Sequence, residues 1–415
     1  MEELQPPAHL KSRRQKEIWR KQQLDNLKAR KKAHETQTPF RIAERNLQSS
    51  LPTPDQPPIV DFVNLDNNTR ENRDKIQEVE LHYDLHRLCP LFGESDQECP
   101  ARKQKAYIHT DIDGLIFIPN PFTAAAQRKL VYNCLHNYTQ SPNLSNLDAH
   151  YDIPTPGVWN LHVTNQKSNN EDSNVDSICR KESPKRQKTD NGYQNSDLVN
   201  ATDQKSRPDN QNESRKSSNS ALKPSELVKK LRWVTLGYQY NWTTKVYDFD
   251  NPVEFPSEAG NLSVAVAKAA EGLGYKVNDE YRWQNTYRGE DFIPEAGIVN
   301  YYQLKDTLMA HVDRSELNME APLISISLGH DCIYLIGGPT RNTTPTAIRL
   351  RSGDVMVMTG NARSAYHGVP KILPSAPTFL QPDIKDAQVD DWELYGEFIS
   401  KARINLNIRQ VNKCE

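Results

Sequence analysis

Arg403-Ile-Asn-Leu-Asn-Ile-Arg409 alternates polar and apolar residues without a break. Successive side chains of a strand point to opposite faces, so Arg403, Asn405, Asn407 and Arg409 share one face and Ile404, Leu406 and Ile408 the other. The apolar face packs as any core strand does. A polar face turned inward needs a polar occupant, and the donor forks of two arginines pair bidentately with the carboxylates of a small diacid. Upstream, His311-Val-Asp313 puts a histidine and a carboxylate on one strand face, and His367 follows inside Tyr366-His-Gly368. Two histidines and one carboxylate form the ligand set of a mononuclear non-haem iron oxygenase, which keeps positions open for cosubstrate and molecular oxygen. Iron beside a diacid points to 2-oxoglutarate as the cosubstrate. Asn300 and Tyr302 also share a strand face and can hydrogen-bond the same diacid.

A His-x-Asp pair by itself is common in chains that bind no metal, and a lone histidine is more often a satisfied core or surface residue. Weight comes from the ordered set. At these residues the chain resembles the AlkB family of iron(II)- and 2-oxoglutarate-dependent nucleic-acid dioxygenases, most of all the branch called AlkB homologue one. The resemblance is carried by Leu236-Gly-Tyr-Gln-Tyr-Asn-Trp242, Glu295-Ala-Gly-Ile-Val-Asn-Tyr-Tyr302, His311-Val-Asp-Arg-Ser-Glu316 and Leu350-Arg-Ser-Gly-Asp-Val-Met-Val-Met358. It covers residues 106–165 and 226–412 and leaves out the N-terminus and a central insertion. It implies His311, Asp313 and His367 as iron(II) ligands. It further implies that Asn300, Tyr302, Arg403, Asn405 and Arg409 hold 2-oxoglutarate, with Arg403 on the distal carboxylate. Asn407 stands where many members carry a small hydroxyl residue, and its amide still hydrogen-bonds. The implied reaction is oxidative demethylation of bases, or hydroxylation of their methyl groups, in tRNA and/or DNA. A protein hydroxylase or histone demethylase with the same metal chemistry, and a lyase at abasic DNA sites, are the alternatives.

Tyr238, Tyr240 and Trp242 are candidates for a nucleotide lid, because aromatic faces stack on an extruded base, and the amide of Asn241 can reach a base edge or phosphate. Plain core packing is the competing reading. Arg282, Trp283, Tyr287 and Arg288 offer a second basic and aromatic patch, with surface packing as its rival.

Composition bounds the rest. Hydrophobic residues make up 36% of the 415 and mean hydropathy is −0.80, which is low for a chain folded throughout. A net charge of −2 advertises no global field for nucleic acid, so such binding requires a local patch. Six cysteines with no C-x-x-C pair fit a reducing compartment and argue against structural zinc. No apolar run reaches a membrane span, and the N-terminus lacks a secretory pattern. The expectation is an intracellular, monomeric protein of the nucleus and/or mitochondrion, or of the cytoplasm, with no membrane partner.

Along the chain, residues 1–47 read as a basic helical arm and 48–105 as a proline-containing linker and N-terminal extension. Residues 106–415 read as the dioxygenase domain, interrupted by a disordered insertion at 166–224 that is too poor in apolar residues to offset chain entropy. Within the domain, Leu115-Ile-Phe-Ile118 reads as a strand and Thr123 as the N-cap of the following helix. A helix is expected over Ser263–Leu273, and strands at 297–303, 323–328, 332–337, 346–350, 354–358 and 403–411. Short strands separated by glycine-rich turns indicate an all-β core with flanking helices, a double-stranded β-helix of the jelly-roll, cupin-like kind.

Overall fold

A computed structural model describes residues 16–19, 21, 23, 37–49, 56–94, 104–168, 177–181, 221–242 and 244–413. The strands are β1 (Ile59–Val60), β2 (Ile76–Glu80), β3 (Lys105–His109), β4 (Leu115–Ile118), β5 (Trp233–Gly237), β6 (Gln239–Asn241), β7 (Val246–Asp248), β8 (Gly274–Val277) and β9 (Glu280–Gln284). They continue as β10 (Ala296–Gln303), β11 (Leu308–His311), β12 (Leu323–Gly329), β13 (Asp331–Ile336), β14 (Thr346–Leu350), β15 (Val355–Met358), β16 (His367–Leu373) and β17 (Ala402–Arg409). The longer described helices are α1 (Pro39–Gln48), α2 (Ala124–Tyr132), α3 (Val158–Lys167), α4 (Ser257–Ala270) and α5 (Trp392–Ile399).

Two sheets face each other. The major sheet runs β2-β3-β4-β15-β12-β17-β10-β5 and the minor sheet β1-β14-β13-β16-β11. Between them lies an apolar cluster that includes Phe62, Phe117, Leu323, Tyr334, Met356 and Met358. A larger cluster covers the outer face of the major sheet, where α4 turns Leu262, Ala265, Val266 and Ala269 inward. Alanine-rich spacing lets that helix lie close against β12 and β15, whose residues are all buried because both faces are covered. This is the double-stranded β-helix expected from the strand pattern, and among the described residues no helix is long and apolar enough to cross a membrane.

Several boundaries shift for identifiable reasons. The helix expected over Ser263–Leu273 starts at Ser257 and stops before Gly272, whose φ of +72° takes the chain out of helical geometry. The last strand ends at Arg409 because Glu295 captures the amides of Val411 and Asn412, both at 2.7 Å. Thr123 caps α2 as expected, its hydroxyl accepting from Ala126 N at 3.2 Å.

The domain begins earlier than the sequence led us to expect. Residues 56–94 are no linker: β1 pairs in parallel with β14, β2 pairs with β3, and Phe62, Leu85 and Phe92 are fully buried. Asp61 locks this segment down through Arg351 at 2.6 Å and the Asn68 side chain, which donates to Asp61 O at 2.8 Å. Likewise α1, which falls in the expected arm, packs Phe40, Ala43 and Leu47 against β13 and β14 of the minor sheet. Most of the basic segment 10–32 lies outside the described residues.

The insertion is also narrower at its edges. Ile178 is buried and exchanges backbone hydrogen bonds with Leu222 at 2.8 and 3.1 Å, so residues 177–181 and 221–224 belong to the folded domain. Residues 182–220 lie outside the described set.

Candidate iron and 2-oxoglutarate site

Strands β11 and β16 pair antiparallel in a register that sets His311 directly opposite His367. Their rings lie 4.3 Å apart, centroid to centroid. Asp313 follows two residues after His311, in the loop that leaves β11, and its carboxylate faces both rings. Nε2 of each histidine is 3.8 Å from an Asp313 oxygen, too far for a hydrogen bond, so neither imidazole is consumed by the carboxylate. One ligand atom from each of the three residues falls within 4.8 Å of the others.

The backbone fixes which nitrogen is available. His311 Nδ1 lies 2.9 Å from Met309 O and His367 Nδ1 3.1 Å from Ala365 O. A carbonyl can only accept, so each Nδ1 carries the proton and each Nε2 presents its lone pair to the space shared with Asp313. Burial, and after it the neighbouring His311, pushes His367 down to about 4, which keeps that imidazole neutral in the physiological range. For Asp313 burial opposes ionisation, but the Arg409 guanidinium outweighs it and holds the carboxyl well below the usual range. The donor set of two imidazole nitrogens and one ionised carboxylate fits iron(II).

The polar face of β17 lies where its alternation placed it. Across β10, Asn300 stands opposite Asn405 and Tyr302 opposite Arg403; across β12, Ser325 stands opposite Asn407 and Ser327 opposite Asn405. A cavity between the sheets is lined by His311, His367, Tyr302, Arg403, Asn405 and Asn407, along with Ser325 and Tyr334. Arg403 is 1% exposed, donates to Ser327 Oγ at 2.8 Å and His330 O at 3.2 Å, and leaves its Nε without a partner. Among the described residues no carboxylate pairs with it. A buried guanidinium without a counter-ion is costly, and a bound carboxylate would supply one. This is the observation that fits a diacid to the site.

The remaining expected residues divide. Asn300 is half-buried on the correct face but outside the cavity wall. Arg409 is held away from it: Nη2 donates to Asp313 Oδ2 at 2.8 Å and Nη1 to Glu316 Oε1 at 2.9 Å. In this arrangement Arg409 orients a metal ligand. Asn405 donates to Ser325 Oγ at 2.8 Å and lines the cavity.

Sequence reasoning missed the network behind the ligands. Glu316 is fully buried and receives Arg409, Arg363 at 2.8 Å and the Tyr247 hydroxyl at 2.7 Å. Burial raises its carboxyl, yet Arg409 and Arg363 bring it down to about 2. Arg363 also donates to Asp313 O at 2.6 Å. Nothing local marks Arg363, which sits on a short 3-10 turn far along the chain. The serines did carry a signal, since Leu323-Ile-Ser-Ile-Ser-Leu328 alternates as β17 does.

The aromatic run folds into the hairpin β6–β7. Tyr238 and Tyr240 are half-buried, Trp242 is 44% exposed, and Tyr240 meets Trp242 edge-on at 4.9 Å. The tyrosines pack on Tyr247 and its neighbours, as the core-packing reading expects, while the tryptophan faces solvent. Asn241 serves the turn, its side chain accepting from Thr244 N at 3.0 Å. In the second patch, Tyr287 donates to Gln410 at 2.8 Å, Trp283 packs on the core and Arg288 pairs with Glu290.

A sequence profile of the 2OG-Fe(II) oxygenase superfamily matches residues 191–409. The chain is 34% identical over 328 residues to the human nucleic acid dioxygenase ALKBH1, covering 75% of this chain and 68% of that protein. It is 46% identical over 185 residues to the tRNA demethylase abh1 of Schizosaccharomyces pombe, covering 44% and 53% respectively. Over 305 residues it is 30% identical to the DNA N(6)-methyladenine demethylase ALKBH1A of Arabidopsis thaliana, covering 72% and 75%. Two imidazoles with free Nε2 atoms and a buried arginine lacking a counter-ion thus find their explanation in descent: the chain belongs to the 2OG-Fe(II) oxygenase superfamily, in its AlkB family, and works with iron(II), 2-oxoglutarate and molecular oxygen.

Proposed function

We propose that this dioxygenase demethylates bases in nucleic acid, tRNA and/or DNA, acting as an intracellular monomer of the nucleus and/or mitochondrion. Iron(II), 2-oxoglutarate and molecular oxygen, when bound, would supply hydroxylation of a methyl group, one oxygen atom going to the methyl carbon and the other to succinate as 2-oxoglutarate loses carbon dioxide; the hydroxymethyl group on nitrogen would then leave as formaldehyde. His311, Asp313 and His367 hold the metal. Arg403 neutralises the distal carboxylate, and Tyr302, Asn405 and Asn407 line the same pocket; we assign Asn300 a supporting contact through Asn405.

The observation that carries the substrate reading is the placement of the aromatic hairpin. Tyr240 meets Ser315 Oγ at 3.0 Å and Tyr247 meets Glu316, so β6–β7 is fastened to the loop that carries Asp313. The hairpin that carries exposed Trp242, Val246 and Phe249 is thereby tied to the segment that follows Asp313. An apolar, aromatic rim suits a base turned out of its stack, since every base offers a π-face. We assign Tyr238, Tyr240 and Trp242 to stacking and Asn241 to holding the hairpin turn. The relatives named for tRNA, RNA and DNA substrates support the same reading.

The test is formaldehyde release from total tRNA, single-stranded genomic DNA and histone peptides, with wild type and Trp242→Ala. The expected result is turnover on nucleic acid that Trp242→Ala lowers, equivalent to about 1–3 kcal/mol in kcat/KM. Turnover confined to peptides, with Trp242→Ala silent, would replace this reading with a protein hydroxylase.

A further inference from the structure

The strand that presents His311 is the weakest placed of those around the metal. β11 lies at the edge of the minor sheet, paired only with β16, and its register breaks between Leu308 and His311. Gly368 permits the break: a Cβ there would come within 2.8 Å of Leu308 O and 3.2 Å of Ala310 N. An edge strand exposes unpaired amides and carbonyls, and a bulge removes further ladder bonds. Something other than the sheet has to fix Ala310, the residue directly before the metal ligand.

Two side chains do so. Ala310 N donates to Glu44 Oε1 at 2.7 Å, and Ala310 O accepts from Arg341 Nη2 at 3.0 Å. Glu44 belongs to α1 and is 1% exposed. Its second oxygen receives Arg41 Nη1 at 2.9 Å, and that guanidinium also touches Met309 Sδ at 3.4 Å. The helix cannot easily drift, because Phe40, Ala43 and Leu47 are packed with Ile333, Leu335 and Ala347. Arg341 closes the loop: its carbonyl accepts from Phe40 N at 3.3 Å and its guanidinium lies over Tyr366, the neighbour of His367, at 5.4 Å. Both polar groups of Ala310 are thus satisfied by charged groups fastened to α1 and to the β13–β14 connection.

We infer that Glu44 is a positioning residue for the iron site, its buried carboxylate substituting for the missing neighbour strand and setting the direction in which His311 presents Nε2. The inference rests on the iron assignment above. A charge-assisted hydrogen bond to a buried amide is strong, and its loss leaves that amide without an acceptor. The consequence falls on metal affinity more than on folding, since α1 keeps its apolar contacts.

The experiment uses the full chain, stripped of metal and titrated with Co(II), whose d–d absorption reports ligand geometry, with Tm recorded in parallel. Partners behind metal ligands commonly control affinity by about 10–100-fold, and Glu44→Ala is expected to weaken Co(II) binding by about tenfold with an altered band intensity. Glu44→Gln keeps an acceptor oxygen for Ala310 N and is expected to restore most of the affinity. Phe40→Leu, which loosens the same helix without touching the hydrogen bond, is expected to lower Tm and leave Co(II) affinity unchanged. The inference is overturned by unchanged Co(II) affinity in Glu44→Ala, by Glu44→Gln as weak as the alanine variant, or by Phe40→Leu losing affinity in proportion to Tm. Wild-type protein that binds no Co(II), or binds it equally well as His311→Ala, would instead remove the iron assignment and the inference with it.

Discussion

Arg403 and Glu316 sit at opposite ends of the same electrostatic problem. Arg403 is a buried cation with no carboxylate beside it among the described residues, while Glu316 is a buried carboxylate between two arginines. Replacing Arg403 by lysine exchanges a planar fork for a single ammonium that cannot satisfy both oxygens of a carboxylate. The expected cost is about 2–5 kcal/mol, read as a rise in the 2-oxoglutarate concentration needed for half-maximal succinate formation. An unchanged requirement would put the diacid elsewhere. For Glu316 the folded state holds the carboxyl at about 2, below its ordinary 4.5. That stabilisation is complete above pH 4.5 and disappears as pH falls from there towards 2; its full size is on the order of 3 kcal/mol. Urea unfolding between pH 2 and 6 measures it. Glu316→Gln is expected to lower stability at pH 7, because two buried arginines lose their counter-charge, and to flatten the acid slope.

The elements that build the site were legible because they repeat with a period of two and carry unusual polar residues on one face. β17 and β10 announced themselves in this way; of the His-x-Asp motif only His311 lies on a strand, β11, and Asp313 follows in the loop, against the expectation of one shared strand face. β1 and β2 did not: two residues after Pro57-Pro58 carry no period, and Ile76–Glu80 is too polar to stand out. Arg363 and Tyr247 escaped for a different reason, since only tertiary folding brings a short 3-10 turn and the strand β7 to Glu316. α1 was seen as part of a basic arm, because its apolar face of Phe40, Ala43 and Leu47 is brief. The central insertion tests how far local composition can be trusted. Deleting 182–220 is expected to leave Tm and 2-oxoglutarate turnover unchanged. Deleting 170–220 also removes buried Ile178 and its pairing with Leu222, and is expected to cost about 1.5–3 kcal/mol in denaturant unfolding. Equal stability of the two deletions would show that Ile178 contributes nothing to the core.

At the scale of the whole molecule, the chain combines a catalytic sandwich with a basic segment that precedes it. Residues 11–32 carry ten lysines and arginines against Glu17 and Asp25. Phosphate contacts release counter-ions, so deleting 1–35 is expected to flatten the fall of tRNA affinity with salt while leaving Co(II) affinity intact. Extending the deletion to residue 49 removes α1 and Glu44, and is expected to weaken the metal site as well. Identical salt slopes for full-length and truncated protein would assign the segment to something other than nucleic acid. The iron site depends above all on Asp313, which lies 3.8 Å from Nε2 of both histidines and is oriented by Arg409. The decisive measurement is succinate and formaldehyde formed by purified, iron-supplemented wild type and Asp313→Ala on a methylated nucleic-acid substrate, with circular dichroism to confirm the fold. Wild type is expected to form both products in step, and Asp313→Ala to form neither while remaining folded. Full turnover by folded Asp313→Ala would contradict the iron site and everything built upon it.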